Sequence, residues 1–420
     1  MIAPKGTKDI LPGEVHKWHY VEDKIKDICN RFGYRQLRTP VFEYTELFDR
    51  GIGDTTDVVQ KEMYTFMDKG GRSITLRPEV TAAAVRAYLE HNLYAGPQPT
   101  KLYYEQSCYR YEKPQAGRLR EFHQFGVEVF GSEEPCIDAE VISLVTVLLE
   151  ELKISDIELN INSIGCPNCR KVYNQALTDY FNTRKDKLCG TCLERLEKNP
   201  LRILDCKSPV CHEIAKDAPV ILDYICEECS SHFTALQEYL KGMGISYTIN
   251  PYIVRGLDYY TKTVFEFVST AIGSQGTVCG GGRYDGLVEE LGGSPTPGVG
   301  FGLGLERLLM VLENQQNNAL PEETVPLLFI ASIGKEAEQT AQTIVYQLRK
   351  AGIYCEKDAL ARSVKAQMKY ANKIGAKYAV VLGDDEVAEQ CVTVKEMETG
   401  EQTEMALQEL KGFLEQRKEG

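Results

Sequence analysis

Apolar and polar positions follow two rhythms along this chain. Over His16–Phe32 and Val80–His91, apolar residues return at intervals of three and four, the spacing of one helical face. Leu102–Arg110 and Phe125–Phe130 instead have the β-branched and aromatic make-up of strands. After a long cysteine-rich stretch the strand pattern returns at Val264–Val268 and Gly298–Gly302, and Gly304–Glu313 then reads as a helix. A sheet interrupted by an insertion explains that return. Asn314–Thr324, with its Gln-Gln-Asn-Asn run and Pro321, reads as a linker, so a boundary is expected near residue 320. Beyond it the expected order is strand (Pro326–Ala331), helix (Lys335–Ala351), strand (at Tyr354), helix (Ala361–Ile374), strand (Tyr378–Leu382), strand (Val392–Lys395) and a charged terminal helix. Strands alternating with helices of this length predict an α/β domain with a largely parallel sheet.

A length of 420 residues allows two or three domains, each with its own core. Apolar residues at 43% and charged residues at 26% are ordinary globular usage, which excludes a disordered or fibrous chain. The longest apolar-rich stretch, Val141–Leu149, is too short to span a bilayer, and Met1–Pro12 has no hydrophobic signal core. The expectation is a soluble, cytoplasmic protein with no membrane partner. A net charge of −13 argues against a protein that coats nucleic acid nonspecifically, though it permits a local basic face. Fourteen cysteines in a reducing compartment are not expected to pair as disulfides.

Three clusters carry chemistry. Cys108–Gly131, CYRYEKPQAGRLREFHQFGVEVFG, predicts a hairpin whose polar loop holds Lys113, Arg118 and Arg120. Arg110 and Glu112 share one side of its first strand, and Gln124, Gly126 and Glu128 share one face of its second. Such a face is either solvated or lines a polar site. Val254–Glu266, VRGLDYYTKTVFE, is followed by CGGGRYDGL at Cys279–Leu287; its glycine run permits close approach of a ligand or forms a turn. In Gly298–Leu309, GVGFGLGLERLL, small strand residues lead into a helix with Arg307 in its first turns. A guanidinium there offers forked donors suited to phosphate oxygens, or sits at the surface of a tight turn.

Together these stretches closely resemble the histidyl-tRNA synthetase family of class II aminoacyl-tRNA synthetases, over essentially the whole chain. Cys108–Phe122 resembles motif 2 of that class, with YRYE in place of the usual FRxE, and Gly298–Leu309 resembles motif 3. Thr39–Phe66 resembles motif 1 and its continuation. RGLDYYTKTVFE and GGGRYDGL resemble the two signatures peculiar to the histidine enzymes.

The resemblance implies an α+β fold: a class II catalytic domain around an antiparallel sheet over residues 1–320, a Cys-rich insertion at about 166–240, and an α/β anticodon-binding domain over 326–420. It implies ATP-dependent ligation of L-histidine to tRNA(His) through a histidyl-adenylate, with Mg²⁺, by a homodimer built on motif 1. Arg110 and Arg255 would be catalytic, placed across the α-phosphate. Glu112 would meet the adenine edge, Phe122 would stack on it, and Arg307 would hold the γ-phosphate. Glu79, Thr81 and Gln124 would hold the histidine ammonium, with Glu128 and Tyr260 at the imidazole and Tyr259 beside them. An acceptor carboxylate and a phenol at opposite edges satisfy both nitrogens of a neutral imidazole. The rival function is a noncatalytic, histidine-sensing regulatory paralogue of the same fold, which lacks the last domain and much of RGLDYYT.

Two further patterns remain. The cysteines form four close pairs: Cys166 with Cys169, Cys189 with Cys192, Cys206 with Cys211, and Cys226 with Cys229. Cys166, Cys169, Cys189 and Cys192 have the spacing of one tetrahedral Zn²⁺ knuckle, a structural site for which the family resemblance offers no support; buried free thiols are the alternative. In the last domain Arg362, Lys365, Lys369, Lys373 and Lys377 occur without an intervening acid and read as one helical stripe, either a solvated face or a tRNA contact. Together with Arg118 and Arg120, Lys365, Lys369 and Lys373 are the expected tRNA contacts.

Overall fold

Long β-prone stretches separated by helices become, in the computed structural model, an eight-stranded sheet with a hydrophobic layer on one face and a polar cleft on the other. The structure describes every residue except 54, 55, 57, 205, 207, 254, 256, 258, 270–275, 316–319, 419 and 420. Asp54, Thr55 and Asp57 of the motif 1 continuation, Val254, Gly256 and Asp258 of the first histidine signature, and 316–319 of the linker therefore lie outside the described residues. The chain divides into two compact units, Met1–Pro321 and Glu322–Gly420.

In the first unit Thr100–Tyr109, Glu121–Phe130, Gly298–Gly304, Thr277–Arg283, Thr261–Ser269 and Ile157–Ser163 pair antiparallel in that spatial order. Short parallel strands, Arg35–Gln36 and Thr248–Ile249, close the two edges. Alternation along each strand sends Phe125, Val127, Phe265 and Phe301 to the apolar face, where they meet the helix Pro135–Glu151 and Val21, Ile25 and Ile28 of Pro12–Arg31. Burial of these side chains stabilises the sheet by roughly 1.5–3 kcal/mol each.

The insertion leaves the sheet between Ile157–Ser163 and Thr261–Ser269, which are neighbours in it. Its helices Pro167–Asn182, Gly190–Lys198 and Pro209–Ala215 build a small core of their own, with Tyr173, Leu177, Phe181 and Leu196 buried beside Cys192, Cys206 and Cys211. The helix Glu227–Gly242 behaves differently. Its Phe233, Leu236 and Leu240 join the main core, so it belongs to the sheet domain although most of it falls within the expected insertion.

In the second unit Cys355–Lys357, Leu328–Ser332 and Tyr378–Leu382 are parallel, as the alternating pattern predicts. Cys391–Glu396 and Gln402–Ala406 add an antiparallel hairpin, so the sheet is mixed; the short link between them cannot carry a parallel crossover.

Candidate active site and cysteine centres

The cleft is built on absent side chains. Tyr104, Gly126, Gly302, Gly280 and Glu266 stand in one row across five neighbouring strands. The three glycines open a trench in the sheet's polar face, and functional side chains occupy it. A Cβ on Gly302 would lie 1.9 Å from Gln124 Nε2, and one on Gly280 would lie 2.4 Å from Arg255 Nη2. Glycine at these two positions leaves the space in which the Gln124 amide and the Arg255 guanidinium lie, and a side chain there would displace them.

Around the trench the structure gathers Glu79, Thr81, Arg110, Glu112, Phe122, Gln124, Arg255, Tyr259, Tyr260 and Arg307 in one cleft. Arg110 and Glu112 do so from just beyond the strand Thr100–Tyr109 rather than from within it, which corrects their expected placement. The strand stops there because Arg110 donates through Nε to Pro78 O, 2.8 Å away, and the chain turns into the hairpin loop. The Arg110 guanidinium lies 5.2 Å from the centre of the Phe122 ring, and Glu112 pairs with Arg118 at 2.9 Å.

Arg307 donates to Gly117 O at 2.9 Å and to Thr277 O at 2.6 Å, which locks its planar fork across the cleft. Burial and the nearby guanidinium of Arg118 push its pKa down from the ordinary arginine value. It remains charged, so it brings a partly desolvated cation to this end of the cleft. Arg255 forms an ion pair with Glu266, which holds its pKa up against burial. Its Nε is buried and has no hydrogen-bond partner among the described residues, a donor that an incoming anionic oxygen would satisfy.

The opposite end is acidic. Glu79 is 3% exposed and accepts from the backbone N–H groups of Thr81 (2.6 Å) and Ala82 (2.9 Å), at the start of the helix Thr81–Glu90. Burial raises its pKa while those hydrogen bonds oppose the shift. Glu128 lies one layer deeper, 1% exposed, under three hydroxyls: Thr81 Oγ1 at 2.7 Å, Tyr104 at 3.2 Å, and Tyr284, which makes a very short contact. Burial pushes its pKa up to about 8. Tyr104 was not among the expected site residues and Tyr284 had no assigned role. Tyr104 reaches the site because strand pairing sets it opposite Gly126, where a missing side chain leaves room for a phenol, and nothing local in the sequence marks that pairing.

Of the hairpin loop's arginines, Arg118 lines the cleft and Arg120 does not. Arg118 holds Glu112, and Arg120 stacks 3.9 Å over the Tyr111 ring and donates to Glu112 O. In the second unit only Lys365, Lys369 and Lys373 of the expected stripe lie on the helix Val364–Lys373, all three exposed. Arg362 precedes the helix, where it is paired with Asp358 and stacked on Tyr370, and Lys377 follows it, so the stripe is shorter than the spacing implies.

The four cysteines expected to share one metal are divided. Cys166 and Cys169 meet Cys226 and Cys229, whereas Cys189 and Cys192 meet Cys206 and Cys211. Proximity in sequence misled here because the helix Pro167–Asn182 carries the chain away from Cys169 before Cys189 is reached.

An antiparallel sheet that brings the motif 2 arginine Arg110 and the motif 3 arginine Arg307 into one cleft with buried carboxyl groups is the arrangement of a class II aminoacyl-tRNA synthetase. The family model described as histidyl-tRNA synthetase matches residues 6–177 and 211–308, and the anticodon-binding domain model matches 328–417. The chain is 60% identical over 408 residues to the histidine–tRNA ligase of Acetivibrio thermocellus, covering 97% of this chain and 98% of that one. It is 59% identical to the ligase of Clostridium perfringens, with 96% and 97% covered. The crystal structure of apo Staphylococcus aureus histidyl-tRNA synthetase superposes with a TM-score of 0.83 at 40% identity, over 99% of both chains. This chain belongs to the histidyl-tRNA synthetase family.

Proposed function

We infer that this chain ligates L-histidine to tRNA(His), activating the amino acid with ATP and releasing AMP and pyrophosphate. The observation that carries this reading is one cleft that brings Arg110, Arg255 and Arg307 together with the buried carboxyl of Glu79 and the hydroxyls of Tyr259 and Tyr260, above the buried Glu128.

Glu79 offers its carboxyl to the histidine ammonium, helped by Thr81 and Gln124. Glu128, with Tyr260 and Tyr259 beside it, reads the imidazole. An apolar isostere would leave these buried groups unpaired, which is a stronger filter than shape alone. Adenine displaces the Arg110 guanidinium from the face of Phe122 and stacks there, with its edge toward Glu112. Arg307 takes the γ-phosphate.

The histidine carboxylate then attacks the α-phosphorus in line. Arg110 and Arg255 face the oxygens on which charge builds, so stabilisation comes from fixed guanidiniums and needs no proton transfer. Mg²⁺ would supply charge neutralisation on the pyrophosphate, and the Glu306 carboxylate, which lines the cleft, would help to hold such a hard cation.

Arg118, Arg120 and the Lys365, Lys369, Lys373 stripe serve the tRNA, and the matched anticodon-binding region disfavours the regulatory alternative. The exposed edge strand Phe42–Tyr44, with Val41, Phe42, Tyr44, Phe66 and Met67 all exposed, is the surface for a symmetric homodimer. Light scattering at twice the chain mass checks this. Among the described residues no helix is long and apolar enough to cross a membrane, in keeping with work in the cytoplasm.

Pyrophosphate exchange with each of the twenty amino acids tests the whole reading. Exchange with histidine alone, followed by charging of tRNA(His), is expected. No exchange with any amino acid would return the chain to a regulatory role.

A further inference from the structure

We propose that the insertion binds two zinc ions at separate tetrathiolate centres, a root centre of Cys166, Cys169, Cys226 and Cys229 and a tip centre of Cys189, Cys192, Cys206 and Cys211, and that the root centre braces the histidine pocket. The bracing role rests on the proposed assignment of Glu128 and Tyr260 to histidine; the two metal sites do not.

The geometry is that of single ions. Within each group all four sulfurs lie within 4.8 Å of one another. Cys166 and Cys169 are 3.5 Å apart, Cys169 and Cys229 3.9 Å, and Cys189 and Cys206 3.9 Å. Zinc–sulfur bonds of about 2.3 Å in a tetrahedron place sulfurs about 3.8 Å apart. A disulfide needs about 2.05 Å, and a multi-iron cluster holds its cysteines further apart. Each group also joins segments distant in sequence, since Cys169 meets Cys229 across 60 positions and Cys189 meets Cys211 across 22.

The surroundings suit thiolates. Cys166, Cys189 and Cys226 each sit at the N-cap of a helix, where the backbone dipole favours negative charge. Backbone N–H groups point at the sulfurs: Cys226 N to Cys169 Sγ at 3.1 Å, Cys189 N to Cys211 Sγ at 3.2 Å, and Ser208 N to Cys206 Sγ at 3.4 Å. Such donors orient metal ligands and offset their charge.

Two short routes lead from the root centre to the histidine end of the cleft. Next to Cys166, Ile164 N donates to Lys262 O at 2.8 Å and Lys262 N donates to Gly165 O at 2.9 Å, two residues from Tyr260. From Cys229 the helix runs one turn to His232, whose Nε2 meets Asp138 Oδ2 at 2.7 Å. Asp138 accepts from the fully buried Arg283 at 3.1 Å, and the adjacent Tyr284 donates to Glu128. The tip centre instead belongs to the insertion's own core, to which Cys192, Cys206 and Cys211 contribute.

Full-length protein prepared without chelator should contain about two zinc per chain, and metal-free protein should take up about two equivalents of Co²⁺ with tetrahedral thiolate spectra. One or no zinc per chain, or iron in its place, overturns the two sites. Cys226→Ser and Cys206→Ser should each lose one zinc. The root variant should raise the histidine KM about tenfold above that of the tip variant, the lower end of the range for loss of a supporting shell. Cys226→His, which keeps four ligands, should hold two zinc and return most of that loss; it carries the test if the serine variant does not fold. Equal histidine KM in root and tip variants overturns the bracing role. If Glu128→Gln leaves the histidine KM unchanged while zinc remains at two, the pocket assignment has failed and the metal sites stand.

Discussion

The cleft and the insertion solve one problem, holding a cluster of polar side chains in fixed geometry, by opposite means. In the cleft the backbone does the holding. Five strands in register line up Tyr104, three glycines and Glu266, and the sheet that forms this floor has a large apolar core on its far side. In the insertion the elements are short and the core is small, with three cysteines among its buried residues. A segment of that size lacks the apolar area to define itself, and cross-links from its own side chains supply what the sheet supplies elsewhere. The lesson is that preorganisation in the cleft belongs to the scaffold, whereas in the insertion it belongs to the ligating residues.

The largest expected effect tests the cleft. Arg255→Ala should lower the rate of adenylate formation by roughly 10²–10³-fold while histidine binding suffers far less, and lysine should rescue only partly because it lacks the planar fork. Single-turnover measurement of activation and transfer checks this, and an activation rate within about threefold of parent removes Arg255 from the catalytic set.

Next comes Glu128, which the sheet holds in a site that disfavours its charge. Glu128→Gln should raise the histidine KM about tenfold to a hundredfold, because the amide cannot take up the negative charge that a bound imidazole would favour. It should also change the pH dependence of stability. The folded pKa of about 8 lies above the ordinary 4.5, so this group's contribution is complete below about pH 4.5 and is lost as pH rises through 8. Urea unfolding of the histidine-free protein between about pH 5 and 9 should therefore show a decline that the variant flattens, and identical profiles would contradict the buried acid.

In the insertion, Leu177 is fully buried in the separate core. Leu177→Ala should destabilise that core by about 2–5 kcal/mol, seen as faster hydrogen exchange confined to the insertion helices, with histidine activation within about twofold of parent. Faster exchange in the strands of the cleft would show that the two regions are one cooperative unit.

The smallest effect falls on a region to which neither mode applies. The exposed Lys365, Lys369 and Lys373, reversed to Glu, should raise the tRNA KM about threefold to tenfold and reduce its salt dependence, leaving histidine activation without tRNA untouched. Equal charging by variant and parent across a salt series returns the stripe to a solvated face.

Periodicity in the sequence determined the helices His16–Phe32 and Val80–His91 to within a few residues, the hairpin face shared by Gln124 and Glu128, and the interruption of the sheet, because these are local consequences of side-chain spacing. The signatures around Arg110, Arg255 and Arg307 were legible for a different reason: their residue types are unusual for plain strands. Register was not legible. That Gly126, Gly302 and Gly280 form one row, that Tyr104 and Tyr284 cover Glu128, and that Glu266 pairs with Arg255 depend on which strands become neighbours, and strand pairing is decided by long-range packing. The cysteines divide the same way. Four close pairs are written in the sequence, but which pair meets which depends on the path of the helices between them, and only the tertiary structure brings Cys166 to Cys226 and Cys189 to Cys206.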